Sequence, residues 1–250
     1  MPLVRLEFPG RTATLTLADA ERRNAMSVAM FDALESAVAA VARHEASVVL
    51  RIRADGPAFC AGFDLGACVA DSTLLASFIR RLSTLNRSIR RLRQVVVVEV
   101  QGAALAGGCA MLSACDFVCV APDVTLGYPV HRIGVSPAVS LPTLTQATGG
   151  AARPLTLGGD LIDGRTALRI GLATHCAAVP DALPSLVDGL VERLLTKGPN
   201  ALAATKRWLN ELDASDRDEA FERTAEGSAA LCGGSECLAM LTTFWNSRKR

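Results

Sequence analysis

The chain has 250 residues, half of them hydrophobic and a fifth charged, which supplies a sizeable core and excludes global disorder. The 26 basic side chains nearly cancel the 25 acidic ones, leaving a net charge of +1, and aromatics make up 4%, which argues against a general nucleic-acid surface. The opening Met1-Pro2-Leu3-Val4-Arg5-Leu6-Glu7 holds no apolar run of signal-peptide length, and the charge-free apolar stretch 100–115 is shorter than the ~18 residues of a membrane span, so a cytoplasmic protein with no membrane partner is expected.

Leu3, Arg5 and Glu7, then Thr12, Thr14 and Thr16 against Ala13, Leu15 and Leu17, alternate as two short strands turning at Pro9-Gly10. Ser27 caps a helix with Met30, Phe31, Leu34, Val38 and Val41 on one face. A strand over 48–52 stops at Asp55-Gly56-Pro57, and 73–93 forms a long amphipathic helix with Leu74, Phe78, Leu82, Leu85 and Ile89 inward. The nearly continuous apolar run 95–100 fits a strand covered on both faces. A helix over 107–115 and strands over 117–120 and 124–126 follow. From Val139 the pattern is helical to the end, with 183–197 and 201–212 parted at Gly198-Pro199. Early strands, βα units in the middle and late helices give an α/β (α+β) chain, with a core over 1–196 and a helical region over 197–250.

Chemistry concentrates in two loops. Ala58-Phe59-Cys60-Ala61-Gly62-Phe63-Asp64-Leu65 and Gln101-Gly102-Ala103-Ala104-Leu105-Ala106-Gly107-Gly108-Cys109-Ala110 each end a strand in small residues. At Gly107-Gly108 the helix should start with free N–H groups and no side chain in the way, and two such loops side by side supply two convergent donors for an oxyanion; tight packing at a strand–helix corner produces the same spacing. The eight cysteines form no C-x-x-C pair and sit among apolar neighbours, as buried free thiols in a reducing compartment do, and no metal site is expected. The arginines of the long helix, at 80, 81, 87, 90, 91 and 93, read first as a solvated face.

These segments resemble the crotonase (enoyl-CoA hydratase/isomerase) superfamily in order along nearly the whole chain. Glu21-Arg22-Arg23-Asn24-Ala25-Met26-Ser27 is similar to its E-K/R-R-N-A-L-S/N loop, 58–65 to A-F-x-A-G-x-D-L, 101–116 to N-G-x-A-x-G-G-G-x-E-L-x-x-x-C-D, and 155–180 to its L-x-x-T-G-x-x-I segment ending in V-V-P. The resemblance implies a spiral of ββα turns with a C-terminal helical region that builds a homotrimer or a dimer of trimers. It implies a coenzyme A thioester as substrate or ligand, with no permanently bound cofactor. The oxyanion donors it assigns are the backbone N–H groups of Phe63 and Gly107. It maps coenzyme A contacts onto Arg22, Arg23, Ala25, Ala61, Asp64 and Leu65. It also likens the segment from Ala229 on, with Met240, Leu241, Phe244 and Trp245, to a last helix lying near a neighbouring subunit's acyl-CoA site.

The pattern breaks where acid and base belong. The family's hydratases carry one glutamate in G-G-x-E-L and another in F-G-x-P-E; here those positions are Ala110 and Val130, and Ala138 stands where some relatives carry an aspartate. Adding water across a double bond needs both a proton acceptor and a donor, each worth roughly 10²–10⁴ in rate, so poor hydration is expected. The polar substitutes in reach are His131, Tyr128 and Glu99, while Cys109 reads as an inert thiol. Glu99 interrupts the buried strand and is expected to pair with Arg51 or Arg53; opening into the thioester pocket instead, it becomes the acid/base candidate. Decarboxylation of a malonyl-type thioester, which needs an enolate stabiliser but no base, and acyl-CoA binding without catalysis are the alternatives.

Overall fold

The computed structural model describes residues 2–247 and begins with an antiparallel hairpin, β1 (Val4–Glu7) and β2 (Thr12–Leu17), in which Val4 faces Leu17. Helix α1 (Val28–Arg43) starts where Ser27 Oγ accepts the Met30 N–H at 3.2 Å. From there the chain repeats one move, a strand in a large sheet, a short strand in a small one, then helix. The first round is β3 (Val49–Ala54), β4 (Ala58–Cys60), α2 (Leu65–Ala70) and α3 (Thr73–Arg90). The second is β5 (Val95–Val100), β6 (Ala103–Leu105) and α4 (Gly107–Leu112). The third is β7 (Phe117–Val120) and β8 (Leu126–Gly127), followed by 3-10 turns at Pro129–Ile133 and Pro137–Ser140 and by α5 (Leu141–Thr148).

Helix α6 (Ala152–Gly158), β9 (Leu161–Ile162), α7 (Gly164–Arg169) and β10 (His175–Cys176) complete the two sheets. The large one runs β1-β2-β3-β5-β7-β10, parallel from β2 onward; the small one runs β4-β6-β8-β9. Stacking the rounds in register sets the ends of β4 and β6 side by side, and that places the two glycine-bearing loops together. All six residues of β5 are buried, because helices cover both faces of the parallel sheet.

Helix α8 (Leu183–Leu195) lies against β3, β5 and β7. Its Asp188 meets the polar insertion in that core. Arg51 Nε donates to Glu99 Oε2 at 2.8 Å, Arg51 Nη2 reaches the same oxygen, and Arg51 Nη1 donates to Asp188 Oδ1 at 2.7 Å. Pairing β3 with β5 sets Arg51 beside Val97, so Glu99, two residues on, shares its face. Arg53 lies exposed and takes no part.

Helices α9 (Pro199–Leu212), α10 (Glu219–Ala229) and α11 (Ser235–Ser247) fold back over these rounds. On α9, Lys206 is 6% exposed and donates to Asp116 Oδ2 at 2.6 Å and to the Gln94 carbonyl at 2.9 Å; burial pulls its pKa down against the pull of Asp116. The arginines of α3 are inter-helix clasps and not the solvated face expected of them. Arg80 pairs with Glu226 on α10, Arg81 with Asp32 and Glu35 on α1, Arg87 and Arg91 with Asp218, and Arg90 with Asp213. The exposed pairs to α10 and the residue before it, Arg80 with Glu226 and Arg87 and Arg91 with Asp218, add at most about 1 kcal/mol each, so they orient α10 more than they hold it.

Two further expectations are corrected. The stretch after Val139 is interrupted by β9 and β10, whose two-residue strands are too short to leave a period of two. The small sheet's β4 and β6 read as loop for the same reason. Residues 248–250, which end the expected oligomerisation region, lie outside the described residues. Within α11, Leu241 is buried and Met240, Phe244 and Trp245 are half-buried on this chain's own surface. The exposed apolar side chains of the helical region include Trp208, Leu209 and Leu212 on α9. All eight cysteines are free thiols and seven are buried.

Candidate active site

The site begins at the two strand ends. Gly62, at φ +91°, sits so close to the neighbouring loop that a Cβ there would lie 3.0 Å from the Leu105 carbonyl and 3.7 Å from the Gly107 nitrogen. A Cβ on Gly108 would lie 2.4 Å from the Cys60 carbonyl oxygen, so a larger residue forces the two loops apart. Ala106, at φ +51° and ψ −113°, holds the strained turn that carries the chain from β6 into α4.

This packing leaves two amides unused. Met26 N–H donates to the Gly62 carbonyl at 2.8 Å and Asp64 N–H to the Met26 carbonyl at 3.2 Å, which skips the N–H of Phe63 between them. Gly107 opens α4, where the first N–H groups have no intrahelical acceptor. Among the described residues, neither the Phe63 nor the Gly107 N–H has a hydrogen-bond partner. Both residues line one cavity of about 430 Å³.

Ala110 and Val130 line the same cavity, from α4 and from the turn after β8. No aspartate or glutamate does; the charged side chains on the wall are Arg23 and Arg132, and neither has a hydrogen-bond or ion-pair partner among the described residues. Of the residues assigned to coenzyme A by resemblance, Arg23, Ala61 and Leu65 line the cavity, whereas Arg22, Ala25 and Asp64 do not. Asp64 caps α2, accepting the Ala67 N–H at 3.1 Å. Phe244 of α11 also lines the wall, so the last helix closes on the cavity of its own chain.

The three substitute groups part company. Glu99 is 6% exposed, bound to Arg51 and absent from the cavity wall; the sheet's two-residue period aims it at α8. His131 is exposed on the 3-10 turn and also off the wall. Tyr128 does line the cavity and is 1% exposed. Its hydroxyl lies near Cys109 and near Ser140, a further lining residue with 1% exposure, yet neither the Tyr128 nor the Ser140 hydroxyl makes a hydrogen bond of regular geometry. Burial, and then the adjoining Cys109 thiol, push the Tyr128 phenol well above its usual pKa, which keeps it neutral. Burial pushes Cys109 up to about 12.

Ser140 and Arg132 escaped the sequence reading. Arg132 stands beside the conspicuous His131, and Ser140 sits in a segment whose pattern reads only as a helix start. Among the described residues, no group of histidine, cysteine, aspartate and glutamate is placed to hold a metal ion, and no helix is long and apolar enough to cross a membrane.

Known structures share this architecture. An enoyl-CoA hydratase from Mycobacterium avium superposes with a TM-score of 0.86 at 30% identity, covering 98% of this chain and 96% of that one, and the stacked ββα rounds are the crotonase fold. The family profile described as enoyl-CoA hydratase/isomerase matches residues 7–229, and the chain belongs to that family. Its relatives span both activities in the family's name. A crotonyl-CoA hydratase of Syntrophomonas wolfei is 28% identical over 98% of this chain and 95% of its own length. A mitochondrial Delta(3,5)-Delta(2,4)-dienoyl-CoA isomerase of Dictyostelium discoideum is 28% identical over 79% of this chain and 72% of its own length.

Proposed function

We propose that this chain binds an acyl-CoA thioester and stabilises it as an enolate, the thioester oxygen lying between the backbone N–H groups of Phe63 and Gly107. The observation that carries the proposal is that these two amides have no acceptor among the described residues and line one cavity. Amide donors held by the fold need no reorganisation as charge grows on the oxygen, and removing one such donor typically costs about 10²–10³ in rate. Arg23 supplies a fixed positive charge for the phosphates of coenzyme A, with Ala61 and Leu65 giving the flat wall beside it.

The same wall makes hydration poor. Ala110 and Val130 can neither take a proton from water nor give one to the α-carbon, and losing both groups costs on the order of 10⁴ or more. A wall with no carboxylate favours a second reading, decarboxylation of a malonyl-type thioester. There the bond from Cα to the carboxylate breaks, its electron pair becomes the enolate, CO₂ leaves, and no base is needed. A chain that binds acyl-CoA and turns nothing over is the third outcome.

The test is a parallel assay of crotonyl-CoA, a 3-enoyl-CoA and methylmalonyl-CoA, alongside direct measurement of acyl-CoA affinity. Binding of acyl-CoA with very slow crotonyl-CoA hydration is expected. Hydration at the common enzymatic rate of ~1–10³ s⁻¹ refutes the acid/base reading, and absence of acyl-CoA binding refutes the whole proposal.

A further inference from the structure

We infer that α11 braces the mouth of the cavity and that its Trp245, seated on Gly66 of α2, is a positioning residue for the Phe63 amide, so that the thioester oxygen is gripped only where α11 is docked. The inference rests on the acyl-CoA reading above and deepens it.

Two close approaches fix the brace. In the first turn of α11, Cys237 passes so near Gly134 that a Cβ there would lie 2.7 Å from the Cys237 Cα and 3.1 Å from its nitrogen. Gly134 closes the turn Pro129–Ile133, which carries Val130. Farther along α11 the Trp245 ring lies over Gly66, where a Cβ would meet Cη2 at 3.0 Å and Cζ2 at 3.1 Å. The helix rises about 12 Å between Cys237 and Trp245, so α11 reaches from one wall to the other. Phe244, beside Trp245, lines the cavity.

The brace bears on an element that cannot hold itself. Helix α2 has six residues and buries only Cys68 among them. A helix that short is not stable through its own hydrogen bonds, so its place is set by α3 and α11, which pack against it. Phe63 stands two residues before α2, and Asp64 between them caps it. The Phe63 ring is held by Phe31 and Phe78, at 6.1 and 5.6 Å between centroids, so its amide adjusts with the chain on the other side, which is α2.

Direction is what such a shift changes. An N–H···O bond weakens steeply as it bends, so a tilt of α2 that leaves the cavity open still loosens the grip on a carbonyl oxygen. Leu65, also on the wall, gives the brace a second place to act, on the coenzyme A arm, and the choice of ligands separates the two.

The experiment compares butyryl-CoA with S-butyl-CoA, the thioether in which the carbonyl is a methylene. Both carry coenzyme A and a four-carbon chain, and only the first offers an oxygen to the two amides. Affinities are measured by titration. The wild-type chain is expected to favour butyryl-CoA by about tenfold or more. Trp245→Ala removes the ring and Gly66→Ala pushes it, and each is expected to shrink that preference severalfold while S-butyl-CoA binding stays within about twofold. Alanine favours a helix over glycine, so the loss in Gly66→Ala does not come from unravelling α2, and that variant carries the test should Trp245→Ala fold poorly. Adding Trp245→Phe to Gly66→Ala sets a smaller ring against the larger residue and should restore most of the preference. A preference unchanged in either folded variant, a double variant no better than Gly66→Ala alone, or equal weakening of both ligands overturns the inference. A wild type that binds both ligands equally refutes the amide donors, and one that binds neither refutes the acyl-CoA reading; in both cases the brace falls with them.

Discussion

Replacing Arg51 with methionine isolates the buried charge behind the sheet. The Glu99 side chain is 7% exposed and takes two donors from Arg51, whose own side chain is 15% exposed. The variant strands a carboxylate in a core strand with no other hydrogen-bond donor to it among the described residues, a loss of about 3–5 kcal/mol for a buried pair with one partner removed. Asp188 loses an ion pair too, but its side chain is 58% exposed and water replaces the contact for about 1 kcal/mol or less. For a chain of this size each kcal/mol lowers the melting temperature by about 2–4 °C, so Arg51→Met is expected to melt roughly 6–20 °C below the wild type. Adding Glu99→Leu should restore most of that, because exchanging a buried pair for apolar volume is often close to neutral. Thermal unfolding gives the stability, and acyl-CoA titration of Glu99→Gln gives the function, which should not change. A single Arg51→Met variant melting within about 2 °C of wild type, or a Glu99→Gln variant with weakened acyl-CoA binding, refutes the reasoning.

Gly108→Ala should destabilise the fold by about 1–3 kcal/mol through overpacking and weaken acyl-CoA binding, because its Cβ meets the Cys60 carbonyl at 2.4 Å; Gly150→Ala, with nothing within 4 Å, is the matched control, and equal behaviour of the two contradicts the close-approach argument. Asp55, Asp163, Asp218 and Glu226 are held below the usual carboxylate range by Arg5, by the Thr166 N–H, by Arg91 and by Arg80 respectively. Below about pH 4 the unfolded chain therefore binds protons that the folded chain refuses, and stability falls as pH falls through the lowered values; a melting temperature that stays flat down to pH 3 counts against these pairs. Trp208 and Leu209, each 56% exposed, and Leu212, 83% exposed, lie on α9 and give an apolar face for self-association, so light scattering should find a trimer or a dimer of trimers, and a stable monomer at micromolar concentration rules that out.

Long periodic segments wrote their structure into the sequence. The α1 face from Met30 to Val41 and the α3 face from Phe78 to Ile89 are buried where their spacing sets them, because a helix of several turns must bury one stripe. The small sheet did not, since β4, β6, β8 and β9 span two or three residues and are defined by partners far along the chain. At the site, the glycine-rich loops were legible because bare backbone is itself the proposed functional group there. Tyr128 was legible as a candidate beside the lost glutamates and does line the cavity, whereas Ser140 was not legible, because its place on the wall depends on which turns the third round stacks together. Glu99 was legible as a misplaced charge, and only the register of β3 against β5 chose Arg51 over Arg53.

The thiols beside the two glycine-bearing loops have a chemical consequence. An α,β-unsaturated thioester is an electrophile that thiolates attack, and Cys60 and Cys109 belong to β4 and α4, whose ends carry the proposed donors. Burial raises both to about 12, leaving about one part in 10⁵ as thiolate at pH 7. Neither thiol lines the cavity, and a reactive acyl group can thus rest there without alkylating the strand and helix behind the wall. An added alkylating reagent should accordingly mark the half-buried Cys176 before any of the other seven, and labelling of Cys109 should report that β4 and α4 have come apart.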